Sequence, residues 1–225
     1  MATSGTTSYN LSQDDIIVQA YDRIGGKDIS GYDLKRGRDA VNLLLIDLQN
    51  RMIPIWKLSL KSKTLVSGTD SYTLDDGVDG VLDAVFRDAS DVDIGATRLS
   101  LIEYNLISAK TQTGRPTQYM IQRGRDNVEL TVWPVPDSND YSFEYWAIER
   151  IEDGGGIRNT LDISYRFLPA LIFGLSYYLS FNRQGVPKDY VMLLKEEYEA
   201  HLMRASDDYR ERTSWEIKPK VPKVW

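Results

Sequence analysis

The sequence predicts an α+β protein: a four-helix core built from two N-terminal and two C-terminal helices, an inserted, mostly antiparallel β domain, and an extended C-terminal tail. Three observations predict this class. Apolar residues recur at helical spacing near both ends of the chain, while between about Lys57 and Asp153 short β-branched and aromatic runs alternate with turn residues. The closing stretch SWEIKPKVPKVW holds two Pro and is too short to pack as a unit of its own. The expected boundaries are 1–54 and 157–212 for a discontinuous helical core, 55–156 for the insert and 213–225 for the tail.

The first helix is read from LSQDDIIVQAYDRIGG. Ser12 caps it with Asp15 three residues on, Ile16, Ile17, Ala20 and Ile24 share a face, and Gly25 and Gly26 stop it. In the second, SGYDLKRGRDAVNLLLIDLQNRMIPIW, a face runs through Leu34, Val41, Leu44, Leu45, Leu48 and Met52, and Pro54 ends it. The insert follows. Its plainest unit is NVELTVWPVPDSNDYSFEYWAIE, read as two strands joined through a PVPDSND hairpin loop. One helical turn interrupts it at SLIEYNLISAK, where Ser100 and Glu103 have capping-box spacing.

Gly154–Gly156 read as a hinge or linker back to helix. The helix in SYRFLPALIFGLSYYLSFN is apolar almost all round, as a central helix would be. After Gln184 and Gly185, Pro187 opens the last helix. Its stripe is Leu194, Tyr198, Leu202, Ala205 and Tyr209, with Lys195, Glu196 and Glu199 solvated. An insert of roughly 95 residues is too long for a loop and must carry its own sheet.

Composition narrows the function. The 225 residues carry 33 acids against 27 bases, a formal charge of −6, so the chain lacks the basic surplus with which a protein grips DNA. It has no Cys and a single His, His201, which leaves no thiolate site and no His-cluster metal site within one chain. No run of about 18 apolar residues is present to span a bilayer, and the opening MATSGTTSYNLSQDD lacks the features of a secretory signal. Synthesis in the cytoplasm is expected.

The candidate sites for chemistry each read more simply as surface. GGGIRNTLDIS lacks the Lys-Ser/Thr of a phosphate loop. Asp70, Asp75, Asp76, Asp79, Asp83, Asp88, Asp91, Asp93 and Glu103 face only Arg87 and Arg98 within their segment. They match no calcium loop and read as a solvated acidic face. Lys35, Arg36 and Arg38 interleave with Asp33 and Asp39 and read as a solvated first turn or a contact between subunits. His201 reads as a partly buried helix residue with no nucleophile to serve. No catalytic residue, cofactor or metal is expected.

Four stretches together carry a resemblance: YNLSQDDIIVQAYDRIG, GYDLKRGRDAVNLLLIDLQNRMIPIW, TGRPTQYMIQRGRDNVELTVWPVPDSNDYSFEYWAIERIED and the C-terminal helix pair. They resemble the head-to-tail adaptor (head-completion, connector) proteins of short-tailed bacteriophages over nearly the whole chain. The resemblance implies a virion neck protein that forms a ring of twelve under the portal, offers a place for the tail nozzle or hub, and lets DNA pass through its channel during ejection. The partners implied are the portal, the nozzle or hub and neighbouring copies, with no membrane. A ring needs two different contact faces on each subunit. The apolar third helix and the Tyr-rich insert are expected to supply them, and an all-polar insert face to keep the free chain monomeric. A virion-associated cell-wall hydrolase and a cellular oligomeric scaffold unrelated to phage are the alternatives.

The tail is the expected portal-docking site. Trp215, Ile217, Val221 and Trp225 alternate with polar residues, Lys218, Lys220 and Lys223 add positive charge, and Pro219 and Pro222 hold the backbone extended at small entropic cost.

Overall fold

The computed structural model describes Gly5, Tyr9 and residues 11–26, 28–51, 57–156 and 158–209. The predicted tail lies outside them, as do Met52 and Pro54. The described residues form an α+β structure with five helices and mostly antiparallel sheets.

Helix α1 (Gln13–Arg23) starts where the sequence places it. Asp15 N–H donates to Ser12 Oγ at 3.2 Å, and Ser12 N–H returns the bond to the Asp15 carboxylate at 3.2 Å. Helix α2 (Gly31–Arg51) begins with a second reciprocal cap that the sequence reading missed, between Ser30 and Asp33. The helices α4 (Leu168–Ser180) and α5 (Lys188–Tyr209) follow the insert. All four contribute to one hydrophobic cluster, in which Ile16, Ile17, Val41, Leu44, Leu48, Leu171, Leu175 and Tyr198 are almost wholly buried. Gly174 of α4 makes close packing possible: a Cβ there would lie 2.9 Å from the Tyr198 ring and 3.1 Å from Leu44. The apolar α4 is thus enclosed by its neighbours. That corrects the expectation that it offers a contact face, because a helix apolar all round finds burial inside its own chain first.

Between α2 and α4, two four-stranded sheets face each other. Sheet I runs β1 (Leu58–Thr64), β10 (Ser142–Glu149), β3 (Val78–Arg87), β4 (Asp93–Gly95). Sheet II runs β2 (Ser71–Thr73), β8 (Val128–Trp133), β7 (Gln118–Arg123), β5 (Thr97–Leu99). Pairing is antiparallel except between β5 and β7 and in the small β6 (Thr113–Gly114) and β9 (Val135–Pro136) pair. Phe86, Phe143 and Tyr145 of sheet I and Tyr119, Leu130 and Val132 of sheet II fill a second hydrophobic cluster. The Phe143 ring stands 5.1 Å from that of Tyr119 across the gap.

The expected β8–β10 hairpin does not form; β8 belongs to sheet II and β10 to sheet I. Pro134 and Pro136 have no N–H to extend a ladder, and Val135 N–H instead bonds the Gln112 carbonyl at 2.9 Å. The segment turns the corner of the sandwich rather than folding back on itself. Four of the insert's tyrosines also go inward: Tyr119 and Tyr145 are buried, and the half-buried Tyr72 and Tyr141 pack against the same cluster. They fill the core instead of forming a contact face.

Polar contacts join the two clusters. Ile151 N–H donates to Gln49 Oε1 at 3.1 Å and Gly154 N–H to Asn42 Oδ1 at 2.9 Å. Gly154 is buried against Gln13, while Gly155 and Gly156 are exposed, so the glycine run is anchored on the helices at its first residue.

Candidate assembly interface

The residues predicted to dock the portal, Trp215, Ile217, Lys218, Pro219, Lys220, Val221, Pro222, Lys223 and Trp225, lie outside the described residues.

The other sequence candidates resolve into structural roles. Arg38 holds Asp14 at 3.1 Å and ties α2 to α1, while Arg36 lies over the Tyr32 ring. His201 is half-buried and stacks on Phe173 with ring centres 5.1 Å apart. The acidic stretch is spread over several surfaces. Asp88 pairs with Arg115 at 3.0 Å, Asp93 with Arg87 at 2.7 Å, and the Glu103 carboxylate closes its own helix cap. Hydrogen bonds from Ser100 hold Glu103 below the ordinary carboxylate range. Among the described residues no three His, Cys, Asp or Glu side chains are placed to hold a metal ion, and no helix is long and apolar enough to cross a membrane.

At the base of sheet I, Lys57 reaches Asp162 at 2.7 Å and Lys61 reaches Glu149 at 2.8 Å. Burial pulls the Lys57 pKa down, but the bond to Asp162 and the charges of Asp162, Glu152 and Glu149 outweigh it and leave it raised. Hydrogen bonds from Lys61 and Ser59 hold Glu149 low against the opposing effect of burial. This cluster links the insert to the segment leading into α4.

Two apolar surfaces stand out. Strand β1 is inverted: Ser59 and Lys61 lie beside the buried Ala147 and Tyr145, so its leucines turn to the outside of the sheet. There Leu60 sits opposite Trp146, and with Leu82, at the β3 bulge, it forms a patch across three strands. Leu60 is 59% exposed, Leu82 51% and Trp146 46%. The adjoining hollow, about 250 Å³, is lined also by Asp83, Val85, Arg87, Asp93 and Glu144. The expectation of an all-polar insert face is therefore wrong.

The second surface is α3 (Leu101–Leu106). Its cap is complete, yet none of its residues is buried, and Leu101, Ile102 and Leu106 are 60%, 73% and 78% exposed. The segment lies over the outer side of sheet II, since Trp133, whose neighbours Val132 and Leu130 point into the core, donates its indole N–H to the Ala109 carbonyl at 3.1 Å. The sequence signal was available in the capping box followed by three aliphatics. It was read as local structure only.

A family model described as SU10 adaptor protein matches residues 10–218. No curated protein matches the chain. The matched span covers the helical cluster, the sandwich and both apolar surfaces, and it agrees with the resemblance to phage head-to-tail adaptors. With nearly its whole length matched, the chain belongs to the SU10 adaptor protein family.

Proposed function

We propose that the protein is a structural component of the virion neck. It forms a ring, of twelve copies by the resemblance, that joins the portal to the tail nozzle or hub and continues the DNA channel. The family match over residues 10–218 carries this reading. The two separate hydrophobic clusters support a division of labour, with a discontinuous helical core (1–54 and 157–212) and an inserted β domain (55–156). DNA passes without being held, because a chain of net charge −6 repels phosphates rather than neutralising them. None of the residues is catalytic in this reading.

The tail, 213–225, fastens each copy to the portal. Its Trp and aliphatic residues act as anchors and its lysines match an acidic groove. Deleting Ser214–Trp225 leaves the folded body intact and abolishes loading onto portal-bearing heads, as measured by co-sedimentation with filled particles. Normal loading of the truncated chain would refute the strap. Turnover of peptidoglycan by the purified chain, lost on one carboxylate-to-amide change, would instead establish the hydrolase alternative.

A further inference from the structure

We infer that neighbouring copies meet head to tail through the inserted sandwich, the α3 aliphatics of one copy seating on the outer face of sheet I of the next. The inference rests on the ring reading and adds the surfaces that make the contact.

The first support is the inverted strand. On an edge strand beyond the sandwich core, apolar side chains gain nothing by facing inward, and inward-pointing lysines guard the edge. Leu60 is placed outside with Trp146 and Leu82, largely uncovered by the other described residues, an exposed apolar patch of the kind that marks a contact surface. The second is shape and rigidity. The sheet I surface is a shallow hollow, while α3 is a short turn fixed by a two-way cap that leaves Leu101, Ile102 and Leu106 largely exposed. A preformed knob loses little entropy on docking.

Placement is the third support. The hollow lies on the outer side of sheet I, and the stretch that leads out of α3 lies over the outer side of sheet II at Ala109, across the sandwich core from the hollow. In a ring of many copies each subunit meets its two neighbours through nearly opposite sides, and the surfaces that meet are different ones. Opposed, unlike apolar faces fit that requirement. A two-fold contact would need one surface to match itself. Charge agrees as well. The hollow carries Asp83, Asp93 and Glu144 against Arg87, whereas the segment around α3 carries Lys110 and a Glu103 whose carboxylate is already engaged by its cap.

The full-length chain tests this at about millimolar concentration, the local concentration a template would impose. Two variants are needed, Ile102→Asp with Leu106→Asp on the knob, and Leu60→Asp with Leu82→Asp on the sheet. All four side chains are exposed, so melting curves should match wild type and show that both variants fold. In sedimentation velocity wild type should form species larger than dimers, and each variant alone should remain monomeric. An equimolar mixture should form a one-to-one pair and nothing larger, because only one intact contact can be assembled. As a second readout, the chain has no Cys, so Leu60→Cys and Ile102→Cys chains joined by a short bismaleimide should give a mixed dimer on mixing. Variants that assemble like wild type would overturn the contact and leave the ring standing. A mixture that stays monomeric, or a wild type that does, would also overturn it, whereas the ring itself is judged on portal-bearing heads.

Discussion

In the helical cluster α4 turns nearly every side chain into the protein, whereas in the sandwich β1 turns its leucines out and its lysines in. The helical cluster draws on both ends of the chain and buries the most apolar helix of the sequence. The sandwich is contiguous in sequence. It buries an aromatic layer between its sheets and leaves Leu60, Leu82 and Trp146 exposed on the outer side of sheet I and Ile102 and Leu106 exposed on α3. The contrast separates two uses of apolar surface. One stabilises the chain itself; the other is, in the contact proposed above, kept for neighbours, at a cost in solubility that the net charge of −6 offsets.

If the two clusters are separate folding units, core damage should stay local. Phe143→Ala removes a fully buried ring from the sandwich and should cost about 3–5 kcal/mol, lowering the sandwich transition while the helical circular dichroism signal melts nearly unchanged. Gly174→Val is the counterpart, pushing a side chain against Tyr198 and Leu44. It should cost about 1–3 kcal/mol and lower the helical transition instead. A single coincident transition moved equally by both variants would break the comparison and make the Lys57 cluster and the Asn42 and Gln49 bonds strong couplers.

The smallest effect concerns that seam. Glu149 is held below its ordinary value of 4.5, so its contribution is present above that pH and lost as pH falls through the lowered value. Lys57 is raised above 10.5, so its contribution is present below that pH and lost only as pH rises through the raised value. Between these limits the seam should be insensitive to pH. Below about pH 4.5, wild type should lose about 1 kcal/mol or less relative to Glu149→Gln, measured by chemical denaturation. An identical pH profile for the two chains would show that Glu149 does not stabilise the seam.

The sequence was legible where structure is local. The caps at Ser12 and Ser100, the face of α1 and the face of α2 from Leu34 to Leu48 depend on residues three or four apart, and they form as read. It was misread where partners are distant. The PVPDSND segment looks like a hairpin loop on its own, yet β10 finds β1 and β3, more than fifty residues earlier in the chain, and β8 finds β2 and β7. The outer patch was missed for the same reason. The alternation in LSLKSKT gives two faces, and only the pairing of Lys61 with Tyr145 tells which one is turned to the core side.

The most direct test of the account is electron cryomicroscopy of the necks of tailed particles that carry this protein. The account predicts a closed ring of its copies between portal and tail, each touching both neighbours, with the Ser214–Trp225 segments lying on the portal. Density for the protein elsewhere in the particle, or as separate copies around the portal that do not touch one another, would contradict it.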